Sequence, residues 1–283
     1  MTITVKPMSD ALGAEILGID LTRELDAKTA ADIYAAWLEH LVVVVRGQTI
    51  SDEDQIRFAG YFGTVGAYHR PKAMQHAKHS SSTIMLISNI REDGAPIGAH
   101  PDGEMMFHTD TAYHEHPHKA TTLFGVECPS HGGNTLFSNQ YKVYDALPDD
   151  LKRRLNGRQA MNVYEFGTTI KTKARYDREK VPHHAHPVFR KHPETGRTAL
   201  YVGELMTEEI VGMPADESEE ILARLYATQK RPEFIYAHQW RVGDLVIWDN
   251  RCLVHARTDF SRDERRHLRR VTVSDEATVV MAA

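Results

Sequence analysis

The chain has 283 residues, enough for one large domain or two small ones, and its 41% hydrophobic and 26% charged content is that of a soluble globular protein. With 34 basic against 39 acidic residues the net charge is −5, which argues against a nucleic-acid or membrane-surface binder, since either would carry a basic excess. The longest apolar run, Leu41 to Val45, is far short of the roughly 20 residues that span a bilayer. The N-terminus carries no apolar signal region, and two cysteines, Cys128 and Cys252, are too few for a disulfide framework, so a reducing cytoplasm is the expected location.

Taken in order, residues 1–20 read as short strands around Gly13-Ala14-Glu15-Ile16 and Gly18-Ile19-Asp20. Apolar residues at spacings of three and four predict a helix from Asp26 to about His40. Leu41–Val45, continuous and β-branched, reads as a strand buried on both faces. Ser51-Asp52-Glu53-Asp54 is a helix start, with acidic residues in the first turn. Residues 64–83 read as loop, Ile84–Asn89 as a buried strand, and Glu92–Gly103 as a second loop delivering the chain to His108. Strands follow at Lys119–Glu127 and Asn134–Ser138, joined by a Pro129–Gly133 turn, then a helix over Tyr141–Gly157 with Leu147-Pro148 beginning a second turn. The polar, aromatic stretch 162–186 reads as a long lid-like excursion. His183, His184 and His186 lie in it, without an acidic or cysteine partner at ligand spacing. Further strands are expected at His186–Phe189, Ala199–Val202, Phe234–Trp240, Asp244–Trp248 and Arg270–Val273, and an amphipathic helix at Asp216–Lys230. Early helices followed by many short strands predict a mainly β fold with flanking helices: a double-stranded β-helix (jelly-roll) core in a single domain, 1–283, with insertions near 64–103 and 162–186.

The candidate chemistry centres on His108-Thr109-Asp110 with a distant His255. On a strand, residues i and i+2 face the same side, so the pair can aim an imidazole and a carboxylate at one point. A second histidine makes two nitrogens and one oxygen on one face of a metal, the ligand set of non-heme Fe(II) oxygenases. In a chain with 17 histidines that motif alone is not specific. Other residues strengthen it. Thr135 stands in a glycine-shaped Gly132-Gly133-Asn134-Thr135-Leu136-Phe137 stretch, and Trp248-Asp249-Asn250-Arg251 returns the chain to His255. Arg265, Arg266, Arg269 and Arg270 enter the final strand, with Arg266 and Arg270 on one face, and arginine is the bidentate partner of a carboxylate.

Together these stretches, with Gly13-Ala14-Glu15-Ile16, Val45-Arg46-Gly47-Gln48 and Phe58–Gly63, resemble the Fe(II)/2-oxoglutarate-dependent taurine dioxygenase/2,4-D dioxygenase (TauD/TfdA) family over about residues 10–273. The resemblance implies iron held by His108, Asp110 and His255. It implies 2-oxoglutarate as co-substrate with O2, its far carboxylate paired with Arg266 and hydrogen-bonded by Thr135, and Arg270 on the acidic head of a small-molecule substrate. It also implies a homodimer or homotetramer. Tyr68 and His69 fall where the family places substrate-contacting residues. Glu104 departs from the pattern, standing where the taurine enzyme has an amide. It reads as a contact to an amine or polar group of the substrate, as an ion-pair partner of an arginine, or as a solvated carboxylate. Two rival classes share parts of this pattern. A zinc hydrolase uses two histidines and a carboxylate but needs a general base nearby. A non-catalytic jelly-roll binding protein needs none of the ligands.

Overall fold

The computed structural model describes residues 2–66, 83–99, 103–164, 177–274 and 280–282. Tyr68 and His69 lie outside the described residues, as do 70–82, 100–102 and 165–176 of the two expected insertions.

The helices are α1 (Ala27–His40), α2 (Asp52–Gly60), α3 (Gln140–Ala146), α4 (Asp149–Leu155) and α5 (Ala215–Gln229). The Asp26 carboxylate starts α1 by accepting from Thr29 N, and Ser51 and Asp54 form a reciprocal capping box on α2. The helix expected over 141–157 is broken at Leu147-Pro148, because proline lacks an N–H and holds the preceding residue extended, with Leu147 at ψ 142°.

Nineteen strands are described. The first seven are β1 (Thr4–Pro7), β2 (Ala14–Leu17), β3 (Val42–Val45), β4 (Met85–Ser88), β5 (Arg91–Glu92), β6 (Ala95–Pro96) and β7 (Met105–His108). The next seven are β8 (Ala120–Glu127), β9 (Thr135–Asn139), β10 (Gln159–Val163), β11 (His183–Pro187), β12 (Phe189–Lys191), β13 (Thr198–Leu200) and β14 (Thr207–Ile210). The chain ends with β15 (Ile235–His238), β16 (Leu245–Asp249), β17 (Leu253–Arg257), β18 (His267–Val273) and β19 (Val280–Met281).

A seven-stranded sheet in the order β1-β2-β3-β16-β8-β18-β4 faces a four-stranded sheet in the order β15-β9-β17-β7. Strand alternation divides the apolar side chains between two layers. Val42, Val44, Leu123, Val246, Trp248 and Leu268 turn inward against Phe137, Tyr236 and Leu253 of the smaller sheet. Val43, Val45, Phe124, Leu245, Ile247 and Val271 turn outward beneath Ile33 and Trp37 of α1 and Phe58 of α2. Burial on both faces is why Leu41–Val45 reads as an unbroken apolar run. A third core packs α3, α4 and α5 against Phe189, Leu200 and Val202. The molecule is thus mainly β with flanking helices, and no helix among the described residues is long and apolar enough to cross a membrane.

Several expectations are corrected. Gly18-Ile19-Asp20 is a bend rather than a strand, with Gly18 at φ 86°. The loop expected over 92–103 contains part of the β5–β6 hairpin. His183, His184 and His186 lie on β11, which pairs with β10, so both ends of the expected 162–186 excursion are strand. The last long strand begins at His267 rather than Arg270.

Candidate active site

The site opens between the two sheets. β7 and β17 are neighbours, and their register sets His108 directly opposite His255, bringing the two imidazole centroids to 4.2 Å. Asp110 lies beyond the end of β7, so strand alternation is not what brings it to the histidines. The turn is made at Thr111, whose φ of 55° is unusual for a β-branched residue and costs about 1–3 kcal/mol. Thr111 Oγ1 holds that conformation by accepting from His118 N at 2.9 Å and donating to Asp110 O at 2.7 Å.

Asp110 Oδ1 stands 3.9 Å from His108 Nε2 and 3.8 Å from His255 Nε2, and the three ligand atoms lie within 4.8 Å of one another. These separations are too long for hydrogen bonds and suit groups sharing a central ion. His108 Nδ1 is 2.9 Å from Met106 O, which places the proton there and leaves Nε2 a free lone pair. His255 packs its ring against Trp248, and burial beside His108 pushes it down to about 3, against the opposing pull of Asp110. Burial likewise lowers His108. Asp110 is buried, which alone would raise it, but Arg270 and the two histidines hold it well below the usual carboxylate range. Two neutral imidazoles and an ionised carboxylate, all buried, are the protonation states a divalent metal requires.

The cleft, about 510 Å³ including its mouth, is lined by this triad, by Thr135, Arg257, Arg266 and Arg270, and by apolar side chains such as Leu123 and Trp248. Arg270 of β18 and Arg266, the residue just before that strand, share it. Arg266 is 3% exposed, and burial together with Arg257 pushes it down to about 9. Its guanidinium makes one hydrogen bond among the described residues, from Nε to Gly133 O at 3.3 Å. Gly133, at φ 60°, allows this approach: a Cβ there would stand 3.1 Å from Arg266 Nε. Thr135 Oγ1 accepts from Trp240 Nε1 at 3.0 Å, which leaves the threonine proton available to an acceptor in the cleft. A buried cation with unpartnered terminal nitrogens beside a free hydroxyl fits the carboxylate of a dicarboxylic acid.

Arg270 NH2 is 2.8 Å from Asp110 Oδ1, so the residue expected on the substrate is paired here with the candidate metal ligand. Arg265 pairs with Glu127, and Arg269 pairs with Asp52 and covers the Phe124 ring, both away from the cleft as expected. Glu104 is exposed, immediately before the cleft-lining Met105, and forms no ion pair with an arginine among the described residues.

Sequence reasoning overlooked Arg257, Trp240, Thr121 and Asn250. Arg257 follows His255 by two residues on β17, so strand periodicity could have found it. Thr121 is a small hydroxyl in a buried strand and gives no such signal. Also overlooked was a second cluster, His192, Asp249 and Cys252. His192 Nδ1 accepts from Glu194 N and Thr195 N, its Nε2 donates to Asp249 Oδ2 at 3.0 Å, and Asp249 also takes three hydrogen bonds from Arg251. Those lone pairs are engaged, and the cluster is a structural anchor rather than a metal site.

Known proteins resemble this chain over nearly its whole length. The family model described as Taurine catabolism dioxygenase TauD, TfdA family matches residues 4–272. Pentalenolactone F synthase of Streptomyces avermitilis is 35% identical, over 98% of this chain and 95% of its own length. The alpha-ketoglutarate-dependent 2,4-dichlorophenoxyacetate dioxygenase of Cupriavidus pinatubonensis is 31% identical, over 99% of this chain and 100% of its own. Among solved structures, AAD-2 in complex with Mn(II) and N-oxalylglycine superimposes with a TM-score of 0.85 at 26% identity, covering all of both chains.

Proposed function

The chain belongs to the taurine catabolism dioxygenase TauD, TfdA family and is an oxidoreductase, and from that premise we propose that it uses Fe(II), 2-oxoglutarate and O2 to hydroxylate a small, anionic organic substrate. The observation that carries this reading is the convergence of His108, Asp110 and His255 beside a buried, under-partnered Arg266. A bound ferrous ion with 2-oxoglutarate supplies the activation of O2 and the hydroxylation of an unactivated C–H bond, with succinate and CO2 released.

The protein's part is to bind and orient. His108 and Asp110 from one stretch and His255 from β17 would hold the metal. Arg266 and Thr135 would receive the far carboxylate of 2-oxoglutarate. Arg270 shares Asp110 Oδ1 with that site, and once Asp110 served as a ligand its guanidinium would be free for an anionic group on the substrate. Sulfonates, aryloxy acids, sulfate esters and amino-acid derivatives all present such a group. Glu104, Tyr68 and His69 are further substrate contacts in this reading, with Glu104 at the rim. Among the described residues that line the cleft, Asp110 is the only carboxylate and is already engaged, so none of them offers the separate general base a zinc hydrolase needs.

The facing sheets support a jelly-roll core, and we read the chain as one cytoplasmic domain. The homodimer or homotetramer rests on family resemblance alone.

Screening those four substrate classes for substrate-dependent succinate release tests the reading. With a responding substrate, Arg270→Ala should lose mainly substrate affinity while retaining slow uncoupled consumption of 2-oxoglutarate. Unchanged substrate affinity in that variant contradicts the role given to Arg270.

A further inference from the structure

The two histidines of the triad sit on the four-stranded sheet, but the carboxylate is tied to the other sheet. Asp110 Oδ2 accepts from Thr121 Oγ1 of β8 at 2.6 Å. Thr121 Oγ1 accepts from Asn250 Nδ2 at 3.0 Å, and Asn250 Oδ1 accepts from Trp248 Nε1 at 2.9 Å. Thr121 and Asn250 are 0% exposed and Trp248 is 1% exposed, so no member of the chain has solvent as an alternative partner.

The direction of this chain is fixed at both ends. An indole N–H can only donate, so Asn250 must turn its oxygen to Trp248 and its NH2 to Thr121. An ionised carboxylate can only accept, so the remaining Thr121 proton goes to Asp110. That engages Oδ2, while Oδ1, which pairs with Arg270 at 2.8 Å, is the oxygen facing His108 and His255. Asn250 is itself immobilised. Its N–H reaches Lys119 O at 3.0 Å, and its neighbours Asp249 and Arg251 are locked to each other and to His192 and Glu194. The Trp248 ring lies 4.8 Å from the His255 ring, centroid to centroid, so the same unit touches two of the three ligands.

We propose that Thr121 and Asn250 are positioning residues that orient Asp110 as a one-oxygen metal ligand, tying it to the seven-stranded sheet that also carries Arg270. The proposal rests on the metal reading of His108, Asp110 and His255.

The test is Mn(II) binding to the purified full-length protein, followed by loss of the free-Mn(II) electron paramagnetic resonance signal. Thr121→Val keeps the shape and removes the hydroxyl, and it should weaken Mn(II) binding about 10- to 100-fold. Thr121→Ser should restore binding to within a few-fold of wild type, a rescue that a purely packing role for Thr121 would not give. Asn250→Asp reads the same chain independently of whether Thr121→Val folds. A carboxylate there cannot donate to Thr121 and draws its proton away from Asp110, so Mn(II) binding should again weaken. Wild-type affinity in folded Thr121→Val or Asn250→Asp, or no rescue by Thr121→Ser, overturns the proposal. If Asp110→Ala abolishes Mn(II) binding while Thr121→Val binds like wild type, the metal reading stands and the relay alone falls. If the wild-type protein binds no Mn(II), both fall.

Discussion

Arg266 carries a charge in a cleft where, among the described residues, Gly133 O is its one hydrogen-bond acceptor, and burial pushes it down to about 9. Leaving a buried cation under-partnered is costly, and an apolar side chain of similar size in its place does not carry that desolvation penalty. The ligand-free protein should therefore pay for this arginine in stability and recover the cost when a carboxylate arrives. Arg266→Met is expected to raise the thermal midpoint of the 2-oxoglutarate-free protein and to weaken 2-oxoglutarate binding by about 2–5 kcal/mol, the range for breaking a desolvated charge pair. Calorimetry of both proteins, with and without 2-oxoglutarate, reads the two effects together. A variant that is less stable and binds 2-oxoglutarate normally would show that Arg266 is a packing residue.

At the level of elements, what the sequence disclosed followed from periodicity. Leu41–Val45 stands out because its side chains are buried on both faces, and α1 because Ile33 and Trp37 fall on one side. β17 carries a strand's period, with His255 and Arg257 toward the cleft and Val254 and Ala256 in a small core, but at five residues it is short enough to pass as part of the turn after Asp249. That His108, Asp110 and His255 meet was legible from spacing and resemblance, but strand alternation is not what brings Asp110 to the histidines. The carboxylate is held by Thr121 Oγ1 and Arg270, and Thr111 beside it takes a positive φ that nothing in a threonine's identity announces. Thr121 and Asn250 were hidden for a related reason: hydrogen bonds between residues 129 positions apart are created by the fold.

Across the whole molecule, several imidazoles are buried in their neutral form. Burial pushes His118 and His186 down to about 4 and His255 to about 3. Their folded values lie below the ordinary histidine value, so between about pH 6.5 and 4 the unfolded chain binds more protons than the folded one. Stability therefore declines as pH falls through that window, by up to about 1.4 kcal/mol per pH unit for each such histidine. The lowered Asp110 and Asp249 add losses in the same direction at lower pH. Urea unfolding of the metal-free protein should show a midpoint that drops steadily from pH 6.5 to 4. A flat profile would mean that these histidines are accessible to protons in the folded state.

The same fold brings one of those imidazoles, His255, together with His108 and Asp110 beside the Arg266 cleft. The most direct measurement of that arrangement is anaerobic addition of Fe(II) and 2-oxoglutarate to the wild-type protein and to Asp110→Ala, followed by visible absorption. The expected result is a weak metal-to-ligand charge-transfer band in the wild type that is absent from the variant. No band in the wild type, or an equal band in both proteins, would contradict an iron and 2-oxoglutarate site at His108, Asp110 and His255.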